Sequence, residues 1–235
     1  MKRKILFVLV FAILVCGVGN PAAIEAKESK ETIEDAIEVL QEMEEEDDAE
    51  NMGRLLKEAE GVALFPSVIK AGLVFGGRYG RGILLKKDRE INGTWFGPHF
   101  VTISGASWGL QAGVQSTALV MVIMNERGMR GFTGDKFTLG GDVSVAAGPV
   151  GRQTGVGTDG SFTAEIFTYS MSKGLFAGLS LEGSIISSDN DRNEGFWGSQ
   201  VSIESILKRK SQDPQVQTLI EALNDLVVKD KTTSL

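Results

Sequence analysis

The chain has 235 residues, 42% of them hydrophobic, with 24 basic and 31 acidic side chains giving a net charge of −7. That length suits one domain of roughly 200 residues plus a removable leader, long enough to bury a sizeable core. One histidine and one cysteine leave a Cys/His metal site without ligands, no cofactor motif stands out, and the acidity fits nucleic acid poorly.

The first segment, residues 1–26, reads as an export signal. Lys2, Arg3 and Lys4 precede the apolar run Ile5–Val15, which is too short to span a membrane, and cleavage is expected after Ala26. The product is then exported, to the periplasm or cell envelope of a bacterium. A lipoprotein anchored through Cys16 is the less favoured alternative, because bulky Val15 stands where lipidation wants a small residue. Cleavage after Ala26 removes the only cysteine, so no disulfide supports the remainder.

Charge is segregated along the rest. Residues 27–60 carry four basic and fourteen acidic side chains, residues 61–130 eight basic and three acidic, residues 131–235 nine basic and thirteen acidic. The first of these, 27–60, is expected to be helical. Ile33, Ile37, Leu40 and Met43 make one stripe of a helix over Ser29–Met43, capped by Ser29 or Thr32. Its other face is acidic through Glu31, Glu34, Asp35, Glu38 and Glu42, so it is expected to pack on a sheet and not to meet anionic lipid. Glu44–Asp48 reads as a loop and Arg54–Glu60 as a second short helix.

Residues 61–200 read as a glycine-rich β core. Pro66 marks the start of its first strand region, Val68–Leu85, with bends at Gly76, Gly77, Gly80 and Gly82. Asn92-Gly93 signals a hairpin leading into Thr94–Ser104. Ser107–Gln115 and then Thr117–Met124 continue the strands, and Glu126–Phe132 is a short helix or turn. Between Thr138 and Gly183, the runs Thr138–Val150, Ser161–Met171 and Leu175–Ile186 alternate with period two, separated by Gly148-Pro149, Gly155–Gly160 and Ser172-Lys173-Gly174. They predict an antiparallel meander. Ser188–Glu194 reads as a polar loop, and the aromatics of Gly195–Gly198 should fold back onto the core. In 201–235, Asp213-Pro214 opens a helix over Pro214–Val228, and a frayed tail follows.

Three short motifs suggest chemistry and fail on context. Gly105-Ala106-Ser107-Trp108-Gly109 is a G-x-S-x-G, but it leads into strand, and His99 lies upstream as a surface or half-buried strand residue. Gly155–Gly160 matches G-x-G-x-x-G and precedes a strand where a nucleotide fold needs a helix. Asp189–Gly195 resembles a calcium loop without its closing glutamate and reads as a solvated turn. The remaining candidate is cationic: Lys70, Arg78, Arg81, Lys86, Lys87 and Arg89 fall within twenty residues. Converging beside glycine-rich backbone, they can grip a phosphate; spread out, they only keep sheet edges from pairing.

The segments TLGGDVSVAAGPVGR and YSMSKGLFAGLSLEGS, the close Gly195–Gly198 and the upstream LLKEAEGVALFPSVIKAGLVFGGRYGRGILL together resemble the SYLF domain. That is a lipid- and phosphoinositide-binding family of exported bacterial proteins and eukaryotic membrane-trafficking and actin-patch proteins. The resemblance runs from about Ile33 to Asn224 and departs at Met52-Gly53, where the family usually has Ile-Pro. The pattern as a whole predicts an α+β fold, a curved antiparallel sheet or barrel of roughly eight to ten strands with N-terminal helices and a C-terminal helix packed on it. The resemblance implies a non-enzymatic protein whose partner is an anionic lipid or membrane surface. The alternative is a cell-envelope structural module with a protein partner.

Overall fold

Antiparallel neighbours can be joined by a tight turn, and a strand can also pair across a long stretch of chain. Four long runs lie side by side in a computed structural model, which describes residues 21–46, 49–72, 75–91, 93–108, 113–148, 164–172, 175–176, 181–198 and 201–229. They are β1 (Gly61–Gly72), β2 (Phe75–Lys87), β3 (Trp95–Trp108) and β4 (Gly113–Ile123). The hairpin β1–β2 nests inside β3 and β4: β2 pairs with β3 from Lys87↔Trp95 to Phe75↔Trp108, and β1 with β4 from Gly61↔Ile123 to Gly72↔Gly113.

Shorter strands extend this block: β5 (Lys136–Thr138), β6 (Val145–Ala147), β7 (Ile166–Ser172), β8 (Leu175–Phe176) and β9 (Ile185–Ser188). The order is β5-β9-β3-β2-β1-β4-β7-β6, with β8 on β7. The sheet curls into a half-barrel, and with its helices the α+β expectation holds.

The expected meander does not form. β6 lies parallel to β7, so the sheet is mixed. β7 attaches to β4, while β9 crosses to β3 at the far side. Thr138–Val150 is not one strand, because Asp142 Oδ2 accepts the Thr138 N–H at 2.8 Å and Gly140 takes φ +79°, closing a tight turn inside it. Alternation reports that a segment is a strand; it carries nothing about its neighbour. Gly155–Gly160 lies outside the described residues, whereas Ser172↔Leu175 pairing confirms a hairpin at the third separator.

The centre of the sheet is buried on both faces. Val62, Leu64, Ile83, Leu85, Val120 and Val122 meet α1 (Pro21–Glu44), α2 (Ala49–Glu58) and α6 (Pro214–Lys229). Ala63, Phe65, Leu84, Leu119, Met121 and Ile123 share a second core with Met129 and Phe132 of α3 (Glu126–Thr133), Phe137 and Ile186. This explains the unbroken apolar runs at 61–65 and 119–123: neither face can be polar.

The chain departs locally from the sequence pattern in several places. β1 begins at Gly61, and Pro66 sits inside it at a bulge, where its missing N–H breaks no ladder bond. Gly82 stands opposite this bulge, and a Cβ there would lie 2.5 Å from the Phe65 ring, so the glycine makes room for the second core. α1 starts at Pro21, which puts Ser29 and Thr32 inside the helix and not at its cap. As expected, its stripe of Ile33, Leu40 and Met43 is buried against the sheet. α2 begins at Ala49, before Arg54, and runs through Met52-Gly53. The Ser188–Glu194 segment is mostly α4 (Asn190–Trp197), capped by Asp189, and α5 (Ile203–Ile206) follows the Gly195–Gly198 close. Phe196 does turn back, its ring 5.4 Å from Phe100.

Gly53 is where α2 and α6 cross. A Cβ there would stand 2.3 Å from the Leu226 carbonyl oxygen, a backbone atom that can only move with its helix. Gly53→Ala should therefore cost roughly 1–3 kcal/mol, read as a lower urea midpoint at unchanged slope. A midpoint equal to or above that of the wild type would contradict this crossing.

Candidate functional site

The helices cover only part of the long strands. Beyond the Pro66 bulge, β1 and β2 run on together, with Ile69 opposite Tyr79 and Lys70 opposite Arg78. On the other side of β1, Ala71 stands opposite Val114. Alternation puts Ile69, Tyr79 and Val114 on the helix face and Lys70 and Arg78 on the reverse. Ile69 and Tyr79 are each 49% exposed and Val114 77%, an apolar group at one end of the sheet.

Lys70 and Arg78 stand directly opposite each other, a like-charge pair across β1 and β2. Among the described residues Lys70 has no carboxylate partner. Burial lowers the pKa of half-buried Arg78. A Cβ on Gly105 would meet both Arg78 Cδ at 3.5 Å and Ser184 Oγ at 3.3 Å, so the arginine stem passes over bare backbone beside a serine. That Ser184 hydroxyl is buried without a hydrogen-bonding partner.

The other four cations do not join them. Arg81 is on the helix face and bonds the Glu28 carboxylate of α1. Lys87 is 8% exposed and closes the last turn of α2, its Nζ donating to the Leu56 carbonyl at 2.9 Å and the Lys57 carbonyl at 2.6 Å. Burial lowers its pKa, with Glu58 opposing the shift. Arg89 Nε donates to buried Glu60 at 2.8 Å. Lys86 shares a face with Arg78 but stands eight residues along β2, roughly 27 Å away at the strand rise.

Two further groups escape sequence reading. Arg192 is 1% exposed, donates to the Glu28 carbonyl at 2.9 Å and to Thr32 Oγ1, and lies over the Phe100 ring. It ties α4 to α1; a segment of Asp, Asn and Arg residues gives no hint that its arginine is buried. Asn193 stands in for a strand residue, its amide both accepting from the Phe100 N–H at 2.8 Å and donating to the Phe100 carbonyl at 3.0 Å.

Ser107 lies in β3 opposite Gly76, within a strand and not at a nucleophile elbow. His99, eight residues earlier in the same strand, is not a surface residue: it is fully buried and neither ring nitrogen has a hydrogen-bonding partner. The strand places it roughly 27 Å from Ser107, so the two form no Ser-His pair. Asp189–Gly195 supplies a helix cap where a calcium loop would need its ligands. Among the described residues no group of three His, Cys, Asp or Glu side chains is placed to hold a metal, and no helix is long and apolar enough to cross a membrane.

A helix-flanked half-barrel that presents a cationic pair and an apolar sheet end has the surface of a binding domain. Comparison with known proteins places it in a family. Residues 104–226 match the family described as "Las17-binding protein actin regulator", and the chain belongs to this SYLF family. It is 38% identical over 163 residues to Protein YSC84 of Saccharomyces cerevisiae, covering 68% of this chain and 34% of that protein. It is 36% identical over 180 residues to the SH3 domain-containing YSC84-like protein 1 of Rattus norvegicus, covering 76% of this chain and 52% of the relative. The chain thus spans about a third to a half of these relatives. Proteins of this family are known as binding proteins.

Burial holds the His99 pKa down to about 4. A depressed histidine pKa means that the fold takes up its proton less readily than the unfolded chain. Stability from this group is complete above the unfolded value near 6.5 and falls as pH drops from there toward 4. The shift corresponds to about 3 kcal/mol at the acid end. Urea unfolding of the wild type and His99→Leu from pH 7.5 to 4.5 should show the wild type losing that much more than the variant. Parallel curves would contradict the assignment.

Proposed function

We propose that this chain is an exported, non-enzymatic member of the family that binds an anionic membrane surface through the open end of its sheet. The observation that carries the reading is the shared position of Lys70 and Arg78 with Ile69, Tyr79 and Val114. Cations on one face of the sheet end reach headgroup phosphates while an aromatic and two aliphatic side chains on the other face of the same end enter the interface. Export rests on the basic, apolar and small-residue pattern of Met1–Ala26.

The strength of binding follows from the count of cations. Each base near an anionic surface contributes about 1 kcal/mol, so the pair supplies about 2 kcal/mol, enough for reversible association and not for anchoring. Of the six basic residues, Lys70 and Arg78 are the two argued to reach lipid. Arg81, Lys87 and Arg89 already hold Glu28, the end of α2 and Glu60, and Lys86 is at the other end of the strand.

Flotation of the chain freed of residues 1–26 with phosphatidylglycerol and phosphatidylcholine vesicles tests this. Binding should need the anionic lipid and weaken as salt rises. Lys70→Ala/Arg78→Ala should lower the partition coefficient by about 30-fold, the equivalent of 2 kcal/mol, while Lys86→Ala changes little. Equal flotation of the double variant, or binding indifferent to lipid charge, would overturn the reading.

A further inference from the structure

α1 does not lie flat on the sheet along its whole length. Where it passes the Pro66 bulge it leaves a groove of two adjoining compartments, ≈ 340 and ≈ 530 Å³, which share Asp35, Pro66 and Ser67. The strands line the larger one with Ala118 and Met171 beside Ser67, Gln115 and Ser116, α1 adds Val39, and Val114 stands at its open side. Its helix wall is acidic: Asp35, Glu38 and Glu42 follow one another at three- and four-residue steps and so project from one side of α1.

These carboxylates differ from their neighbours. Glu28 bonds Arg81 and Glu31 pairs with Lys27 at 3.5 Å. Among the described residues no Lys or Arg pairs with Asp35, Glu38 or Glu42. Burial raises the Asp35 pKa, and Glu38, Glu34 and Glu31 raise it further, as expected of a carboxylate awaiting a counter-charge. A row of unneutralised acids along a trough with apolar patches at Val39, Val114, Ala118 and Met171 is a surface with half of its complement missing.

We propose that this groove docks a cationic, amphipathic peptide segment of a partner protein, whose Lys or Arg side chains meet Asp35, Glu38 and Glu42 and whose apolar side chains fill the trough over Val39, Ala118 and Met171. Charge selects the class. An anionic lipid headgroup is repelled by the three acids, and a polyamine leaves the apolar patches uncovered. The helix wall spans Asp35 to Glu42, roughly 10 Å at the helical rise. A segment with bases about one helical turn apart matches it. The groove opens on the helix face and the Lys70–Arg78 pair on the reverse of the same strands, so the cationic pair can be removed without touching the groove, Val114 being common to both readings.

The test is fluorescence anisotropy of the full-length chain with a fluorescein-labelled peptide of repeated Leu-Leu-Lys-Lys. The peptide should bind, and its Leu-Leu-Gln-Gln counterpart should not. Asp35→Asn/Glu38→Gln/Glu42→Gln should weaken binding about tenfold or more, and Val114→Ser severalfold. Lys70→Ala/Arg78→Ala should leave it unchanged, which separates this site from the lipid face. Equal affinity of the acid-wall variant, equal binding of the Gln peptide, or loss of binding in the Lys70/Arg78 variant would overturn the proposal. So would self-association abolished by the acid-wall variant, or tighter peptide binding once residues 1–20 are removed. Those results would give the groove to a second copy or to the chain's own N-terminus.

Discussion

Burial of the central strands on both faces is the constraint on which the rest of the structure depends. A sheet covered on one side can keep polar residues on the other. Here Val62 and Leu64 enter one core while Ala63 and Phe65 enter a second, so nothing between Gly61 and Phe65 is free to serve a ligand. The same holds for Ile83–Leu85 and Leu119–Ile123. What remains is the far end of the same strands, past the Pro66 bulge. The proposed lipid-facing residues lie there.

The position of α1 decides how much of that end stays open. Arg192 holds the Glu28 carbonyl and Thr32 from α4, and Arg81 holds the Glu28 carboxylate from β2. Burying a guanidinium is costly, and burial lowers the Arg192 pKa against the pull of Asp189. The paired contacts make one placement of the helix better satisfied than its neighbours. With α1 held at Glu28 and Thr32, its acidic edge from Asp35 to Glu42 lines the groove.

Much of this was legible in the residues. The stripe of Ile33, Leu40 and Met43, the Asp213 cap of α6 and the glycine of the β2–β3 turn, with φ +75° at Gly93, follow from local rules, because each depends on a few neighbouring residues. Strand partners do not: β7 reaches β4 and β9 reaches β3 across long stretches of chain. The cationic cluster shows the same limit. Gly80 and Gly82 leave the relative faces of Arg78 and Arg81 open in the sequence, and only the fold separates them and reveals that Lys87 serves α2 and Arg89 serves Glu60. Charge density along the chain does not show which cations share a face, and in the fold Lys70 and Arg78 are the two that stand opposed across β1 and β2.

The central claim is that the open sheet end, and not the acidic helix or the basic loop, faces the membrane. Amide hydrogen exchange of the leaderless chain with and without phosphatidylglycerol vesicles tests it directly, since protection reports which backbone is covered. Slowed exchange should be confined to residues 66–72, 75–81 and 113–117, with 30–44 and 86–89 unchanged. Protection centred on α1, or on the stretch from Lys86 to Arg89, would contradict the account.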